Sequence, residues 1–170
     1  KVLVGSEGSS DARRAQVNLD GSFEVKGCKP GKNLVTAEAP RYAPTTIQVD
    51  LKPNQEPINI RLKAGKVLKL LVVNKQDEPI ANAQVWLNTM DSRPIMANEI
   101  AAPFIQTEYS PKTDRDGRVF WDQAPDRELA FDIEAAGYMR IFGWKVKPDG
   151  QEHKVTLGNA LKIQGTVVDA

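Results

Sequence analysis

One cysteine and one histidine stand among the 170 residues. A structural zinc site wants four Cys or His ligands, so none is expected. Cys28 has no second cysteine to pair with, which excludes an intramolecular disulfide. Any Ser-His-Asp or Cys-His device would have to use His153. A single cysteine fits a reduced compartment, and equally an extracytoplasmic protein that does without disulfides. Charge of one sign is also lacking: 23 Lys and Arg stand against 22 Asp and Glu, a net charge of +1. That balance argues against a nucleic-acid partner, which calls for a basic excess or stripe. No run approaches the length of apolar residues that a membrane-crossing helix needs, so no membrane insertion by this segment is expected. No charged region, apolar stretch and small-residue cleavage site follow one another at the start. The chain opens on Lys1 and not on Met, and is expected to be a processed or excised piece of something longer. Helical periodicity is nearly missing; the one candidate is a turn or two at Ala97–Ala102, ended by Pro103.

What is present is alternation, over a hydrophobic content of 41% that suffices for a core. Leu68, Leu70 and Val72 alternate with Lys69, Leu71 and Val73; Ile58, Ile60 and Leu62 alternate with Asn59 and Arg61. Val85 and Leu87 flank Trp86, and Val155 and Leu157 flank Thr156. These are strand signals. Turn chemistry separates them, as at Asp20-Gly21, Pro30-Gly31, Gln76–Pro79, Asp116-Gly117 and Asp149-Gly150. Short strands with frequent turns predict an all-β chain of β-sandwich type.

The chain also repeats itself. Val17–Phe23 resembles Thr113–Val119, and Glu38–Tyr42 resembles Glu134–Tyr138, both at an offset of 96. Leu51–Pro53 resembles Val146–Pro148, and Leu68–Asn74 resembles Ile163–Asp169, both at 95. The repeat sets a phase. A unit opens with Val67–Val73, turns at Asn74–Pro79, returns along Ala83–Leu87 and closes at Val155–Leu157. Val2–Val4 then corresponds to Val85–Leu87. The expected organisation is a first sandwich at residues 1–64 lacking its opening strand, a complete one of about seven strands at 65–159 with an insertion at 89–112, and the opening strand of a third repeat at 160–170.

At these positions the chain resembles the carboxypeptidase regulatory-like domain family, of the transthyretin (prealbumin-like) β-sandwich type. The resemblance is carried by Val72-Val73-Asn74, by Glu78–Val85 with Pro79 and Ala83, by Thr113–Val119 with its Asp116-Gly117 hairpin, by the Pro125-Asp126 corner and by Ala136-Gly137-Tyr138. It departs where Asp126 replaces the corner glycine, where Arg41 precedes Tyr42 in place of glycine, and where Thr89–Lys112 is inserted. The resemblance implies accessory modules, commonly outside the cytoplasm, appended to larger proteins whose own activity does not transfer to the module. It places Cys28 where the family has an apolar residue, so a buried, inert thiol is expected.

Several motifs have a bland reading beside a chemical one. Asp114-Arg115-Asp116-Gly117 starts like a calcium loop, but the position that should hold the closing Glu is Pro125; an Asp-Gly hairpin explains it. Glu38 and Glu134 resemble the acid that promotes a Lys–Asn isopeptide bond in collagen-adhesin B-type repeats, with Lys69 and Asn159 as the available pair. Alternation points Lys69 away from the face of Leu68, Leu70 and Val72, so a solvated Lys is expected. The Ser6–Ser10 stretch lacks the Gly-Lys-Ser/Thr ending of a phosphate loop and reads as a hairpin loop. His153 reads as a surface residue.

Trp86, Trp121 and Trp144 could form a sugar-stacking platform. Parity puts Trp121 inside with Val119, and turns Trp86 and Phe120 outward, where aromatic side chains serve as ligand platforms or as cover for an adjacent domain. The insertion Thr89–Lys112 carries Met90, Ile95, Met96, Ile100, Phe104, Ile105 and Tyr109, an apolar content suited to a partner or domain interface, a lid over its own sandwich, or a small-molecule pocket.

Three functions compete. The first is a non-catalytic extracytoplasmic module, periplasmic or at the cell surface, that spaces, stiffens or mediates protein interaction in a larger protein. The second is a carbohydrate- or peptide-binding module, with Trp86, Phe120, Met96, Phe104 and Tyr109 as the candidate binding surface. The third is an enzyme using carboxylates among Asp91, Glu99, Glu108 and Asp122. No catalytic residue, cofactor or metal is assigned. The expected partners are other domains of the same polypeptide and a protein or glycan. Leu161–Asp169 is further expected to dock as a strand on the incomplete first unit, in a neighbouring chain or by folding back, unless an unseen N-terminal segment supplies that strand.

Overall fold

A computed structural model describes residues 1–5, 12–90, 93–94 and 110–169. The expected helical turn at Ala97–Ala102 and the Ser6–Ser10 loop lie outside them. Among the described residues the chain is all-β. Its strands are β1 (Val2–Val4), β2 (Arg13–Ala15), β3 (Gly31–Ala37), β4 (Thr45–Leu51), β5 (Lys66–Val73), β6 (Gln84–Met90), β7 (Arg93–Pro94), β8 (Arg118–Ala124), β9 (Leu129–Glu134), β10 (Ile141–Val146) and β11 (Glu152–Thr156).

They form three sheets, ordered β2-β1-β3-β4, β7-β6-β9-β10 and β11-β5-β8. The last two face each other. Leu68, Leu70 and Val72 of β5, Val119 and Trp121 of β8 and Val155 of β11 pack from one side; Val85, Leu129, Phe131, Ile133 and Val146 pack from the other. Alternation does this: along β5 the even positions 68, 70 and 72 are fully buried while Lys69 is exposed. Strand β5 lies at the centre of its sheet, antiparallel to β8 and parallel to β11.

The sequence repeat reappears as hydrogen bonds. Asn18 N–H donates to Ser22 O, and Asp114 N–H donates to Arg118 O; Tyr42 N–H donates to Ala39 O, and Tyr138 N–H donates to Ala135 O. Gly65 N–H donates to Arg41 O, and Ala160 N–H to Gly137 O. Val2 stands opposite Ala37 as Val85 stands opposite Ile133. The first two sheets thus share one strand order.

The third sheet has no counterpart beside the first. The segments at its outer positions would be 22–28, matching β8, and 57–61, matching β11. The alternation of Ile58, Ile60 and Leu62 predicts a strand, yet neither segment forms one. Both keep the alternate burial: Phe23 and Val25, and Ile58, Ile60 and Leu62, are half-buried against Val2, Val4, Val35 and Ala37. In β8 and β11 the ladder partner is β5; among the described residues no strand stands in that position between 22–28 and 57–61, and neither segment joins a ladder.

Local chemistry explains the turns. Asn74 is buried: its Oδ1 accepts from Gln76 N–H and Glu78 N–H, and its Nδ2 donates to Glu78 Oε2 at 2.7 Å. Asp114 Oδ1 accepts from Asp116 N–H and Arg118 N–H, as an Asp at the start of a hairpin turn does. Arg41 has φ 67°, where the matching Gly137 has φ 84°. Arg41→Gly is therefore expected to raise stability by up to about 1 kcal/mol, read by urea denaturation; relief of the left-handed strain exceeds the added freedom of the unfolded chain.

Candidate functional site

The outward face of the β7-β6-β9-β10 sheet carries a cluster around Arg140. Trp86 projects there because Val85 and Leu87, its neighbours on β6, pack toward the core. Its cross-strand partner on β9 is Asp132, which is 9% exposed. On the edge strand β10 the register shifts between Ile141 and Trp144. Phe142 and Gly143 form the resulting bulge; Gly143 takes φ 62°, which a residue without Cβ accepts freely.

Asp132 organises this bulge. Its Oδ1 accepts from Gly143 N–H at 2.9 Å, and its Oδ2 accepts from Arg140 Nη2 at 3.0 Å. Glu134 lies 3.5 Å from Arg140 Nη1. So fixed, the guanidinium carbon lies 4.8 Å from the centre of the Trp86 ring and 4.5 Å from that of Phe142, within cation–π range of both. Phe142 remains 69% exposed. Two carboxylates already neutralise Arg140, so the face is not an anion site. It offers a held, open aromatic ring with an acidic rim, suited to stacking on sugar C–H groups or on an apolar peptide side chain. Arg140→Ala is expected to cost about 1–2 kcal/mol, because it leaves a buried carboxylate without its counter-charge and removes both ring contacts. Denaturation followed by tryptophan fluorescence checks this, with a change in native emission from Trp86.

Of the candidate residues named from sequence, Trp86 and Phe120 are described, and they are not brought together. Phe120 is 62% exposed on β8, beside Lys69 of β5, on the outward face of the opposite sheet from Trp86. Trp121 is buried in the core, and Trp144 is half-buried against it because the bulge at Phe142-Gly143 changes its parity. Met96, Phe104 and Tyr109 lie outside the described residues, as do Asp91, Glu99 and Glu108; Asp122 is exposed on β8. Of the insertion, Arg93–Pro94 pairs with the end of β6, and Gln84 Nε2 donates to Ser110 O at 2.8 Å. Arg140 and Phe142 were missed by sequence reasoning. The available signal was Gly143, which interrupts the alternation of Ile141–Val146 and marks a bulge.

Lys69 is exposed, as alternation requires, and Glu134 faces Arg140 rather than Lys69. His153 Nε2 lies 2.9 Å from Asp149 Oδ1 at the surface. Gln151 N–H, then His153, hold the Asp149 carboxyl below its usual range. Its contribution to stability is thus present above the ordinary carboxylate range and lost only as pH falls through that lowered value. Cys28 is half-buried rather than buried, its Sγ 3.9 Å from Val25 O. The position equivalent to it in the second half is Ala124, which is fully buried and pairs with Lys66 of β5; among the described residues no strand pairs with Cys28 in that way.

A groove of about 970 Å³ runs along the first half of the chain. Val4, Val35 and Leu51 form its floor, with Phe23 and Val25 on one wall and Ile58 on the other. It lies between the segments 20–30 and 51–59.

No protein-family model matches the chain, and no curated protein matches it. Among solved structures it is similar to a streptococcal ancillary pilin, at 17% identity and a TM-score of 0.41 over 87% of this chain and 50% of that one. It is similar to the shaft pilin SpaA of Lactobacillus rhamnosus GG, at 11% identity and a TM-score of 0.47 over 88% and 71%. It is also similar to 3-chlorocatechol 1,2-dioxygenase of Rhodococcus opacus 1CP, at 13% identity and a TM-score of 0.40 over 86% and 74%. The chain thus spans half the length of the ancillary pilin. Likenesses that reach both pilins and an enzyme assign no activity.

Proposed function

We propose that the chain is a non-catalytic, extracytoplasmic module of a larger protein, periplasmic or at the cell surface, in which tandem β-sandwiches space or stiffen the polypeptide and mediate protein interaction. On this reading residues 1–64 and 65–159 are successive units of carboxypeptidase regulatory-like type, and 160–170 open a third. The observation that carries it is the hydrogen-bond frame repeated at an offset of 95 to 96 residues, down to the junction bonds Gly65–Arg41 and Ala160–Gly137. A chain that repeats its linkage as well as its core is suited to serial extension.

Pulling a single molecule between Lys1 and Ala170 tests it. The second unit is expected to release in one step of about 340 Å of contour, from its 95 residues at roughly 3.6 Å each. Extension without such a step overturns the stiffening role.

A second reading, a carbohydrate- or peptide-binding module, is favoured by the open Phe142 ring held beside Trp86 through Arg140. Screening glycans and peptides against the chain and its Phe142→Ala variant decides between them. Binding lost on substitution establishes the second reading, and an unbound face leaves the first.

A further inference from the structure

We infer that the outward face at Phe142 binds an uncharged, β-linked glycan of gluco-configured pyranoses, one sugar ring stacking on Phe142 and its hydroxyls bonding to Glu134 and Arg140. The inference rests on the binding-module reading of this face and names its ligand.

The aromatic ring is held in place before any ligand arrives. Three neighbouring strands supply the parts: Trp86 comes from β6, Asp132 and Glu134 from β9, and Phe142 from the bulge of β10. Arg140 is bonded to Asp132 at 3.0 Å and lies against both rings. A ring backed by a fixed guanidinium has little rotamer freedom left to lose, so stacking on it costs less than on a loose surface side chain. Phe142 is nonetheless mostly in water, which leaves a large area for a ligand to cover.

The edge selects the class of ligand. β10 ends its sheet, the ordinary place for a peptide to add as a further strand. Here the register is interrupted between Ile141 and Trp144, and Gly143 N–H is turned inward to Asp132 Oδ1. A bulge bends and twists an edge strand and so blunts it against pairing. What remains on offer is the ring face with polar groups beside it, and a pyranose uses both. Its C–H groups lie flat on an aromatic face while its hydroxyls project around the rim. With every ring substituent equatorial, both sugar faces are apolar and the hydroxyls spread in the plane of the ring.

Charge selects within that class. Asp132 and Glu134 set two negative charges against the one positive charge of Arg140. The Glu134 side chain is half in water and that of Arg140 about a third, so both reach a ligand. Lys145, farther along β10, is paired with Glu128 at 2.9 Å and does not tip this balance. A carboxylated sugar would bring a third anion to the rim, and like charges at close range cost affinity. Uncharged hydroxyls meet an acceptor in Glu134 and a donor in Arg140 without that cost.

Calorimetric titration of the full chain tests this with three probes: cellohexaose, a β-1,4-linked glucuronate hexamer, and the basic peptide Lys-Trp-Lys. Cellohexaose is expected to bind, and Phe142→Ala to weaken it at least about tenfold. Raising the salt concentration should change its affinity less than about twofold, because no charges are paired. The glucuronate hexamer is expected to bind at least about tenfold more weakly, and Glu134→Gln to narrow that gap. Both substitutions fall on exposed side chains, and circular dichroism checks that the fold is kept. Glucuronate bound through Phe142 as tightly as cellohexaose overturns the inference and leaves a carbohydrate module standing. The peptide bound through Phe142 in place of cellohexaose overturns it and leaves a peptide module standing. Cellohexaose bound equally by the Phe142→Ala variant overturns it as well, since the sugar then sits elsewhere. If no probe binds through Phe142, the inference and the binding-module reading fall together.

Discussion

Phe131→Ala is expected to destabilise the chain by about 3–5 kcal/mol, which is a large share of the stability of a domain this size. Phe131 heads the largest fully buried side chains, with no exposed surface. It sits on β9, laddered to β6 on one side and to β10 on the other, opposite Leu87 and Trp144. The facing sheet supplies Leu68, Leu70, Val119 and Trp121 to the same core. Removing the ring loses its transfer free energy. It also leaves a cavity that two laddered sheets cannot close, since moving either backbone breaks strand hydrogen bonds. Urea denaturation followed by tryptophan fluorescence measures the loss. Phe142→Ala, on the outer face of the same sheet, is expected to cost far less because its ring is mostly in water. A loss below about 1 kcal/mol at Phe131 would refute the packing described for this core.

Thr113→Val should cost about 2–4 kcal/mol, although the two side chains have nearly the same shape. Thr113 is 3% exposed. Its Oγ1 accepts from Ala83 N–H at 2.8 Å and donates to Ile80 O at 2.6 Å. One hydroxyl thus satisfies two backbone groups where the chain passes from the Asn74–Glu78 turn into β6. Valine fills the space but strands both groups out of reach of water, and each unmade bond carries its full desolvation cost. Thr113→Ser restores the hydroxyl and is expected to recover most of the loss. If valine and serine behave alike in denaturation, packing rather than hydrogen bonding holds this corner.

The strands with the strongest alternation were legible because burial on one face of a sheet imposes period two. Leu68, Leu70 and Val72 are all fully buried, and Trp121 follows Val119 inward. The turns were legible for a related reason: Asn74 and Asp114 act on their own neighbours, within four residues, so their chemistry is local. Simple alternation does not carry through β10 to Trp144. A bulge at Phe142-Gly143 inserts one residue, and from there each side chain changes face. Parity also said nothing of distance. It turned both Trp86 and Phe120 outward, but not that their sheets face opposite directions. Ile58, Ile60 and Leu62 have the pattern of a strand and its alternate burial, without the ladder. A strand is a relation between two backbones, and a pattern within one segment cannot supply the second.

By itself, then, the sequence determined an all-β chain and a repeat of 95 to 96 residues, because alternation, turn residues and self-similarity are properties of near neighbours. Only the tertiary structure decided that Arg140 is held by Asp132 between two aromatic rings, and that among the described residues the β11-β5-β8 sheet has no counterpart beside β2-β1-β3-β4. Those features are set by contacts between segments far apart in the chain, whose partners no local pattern names.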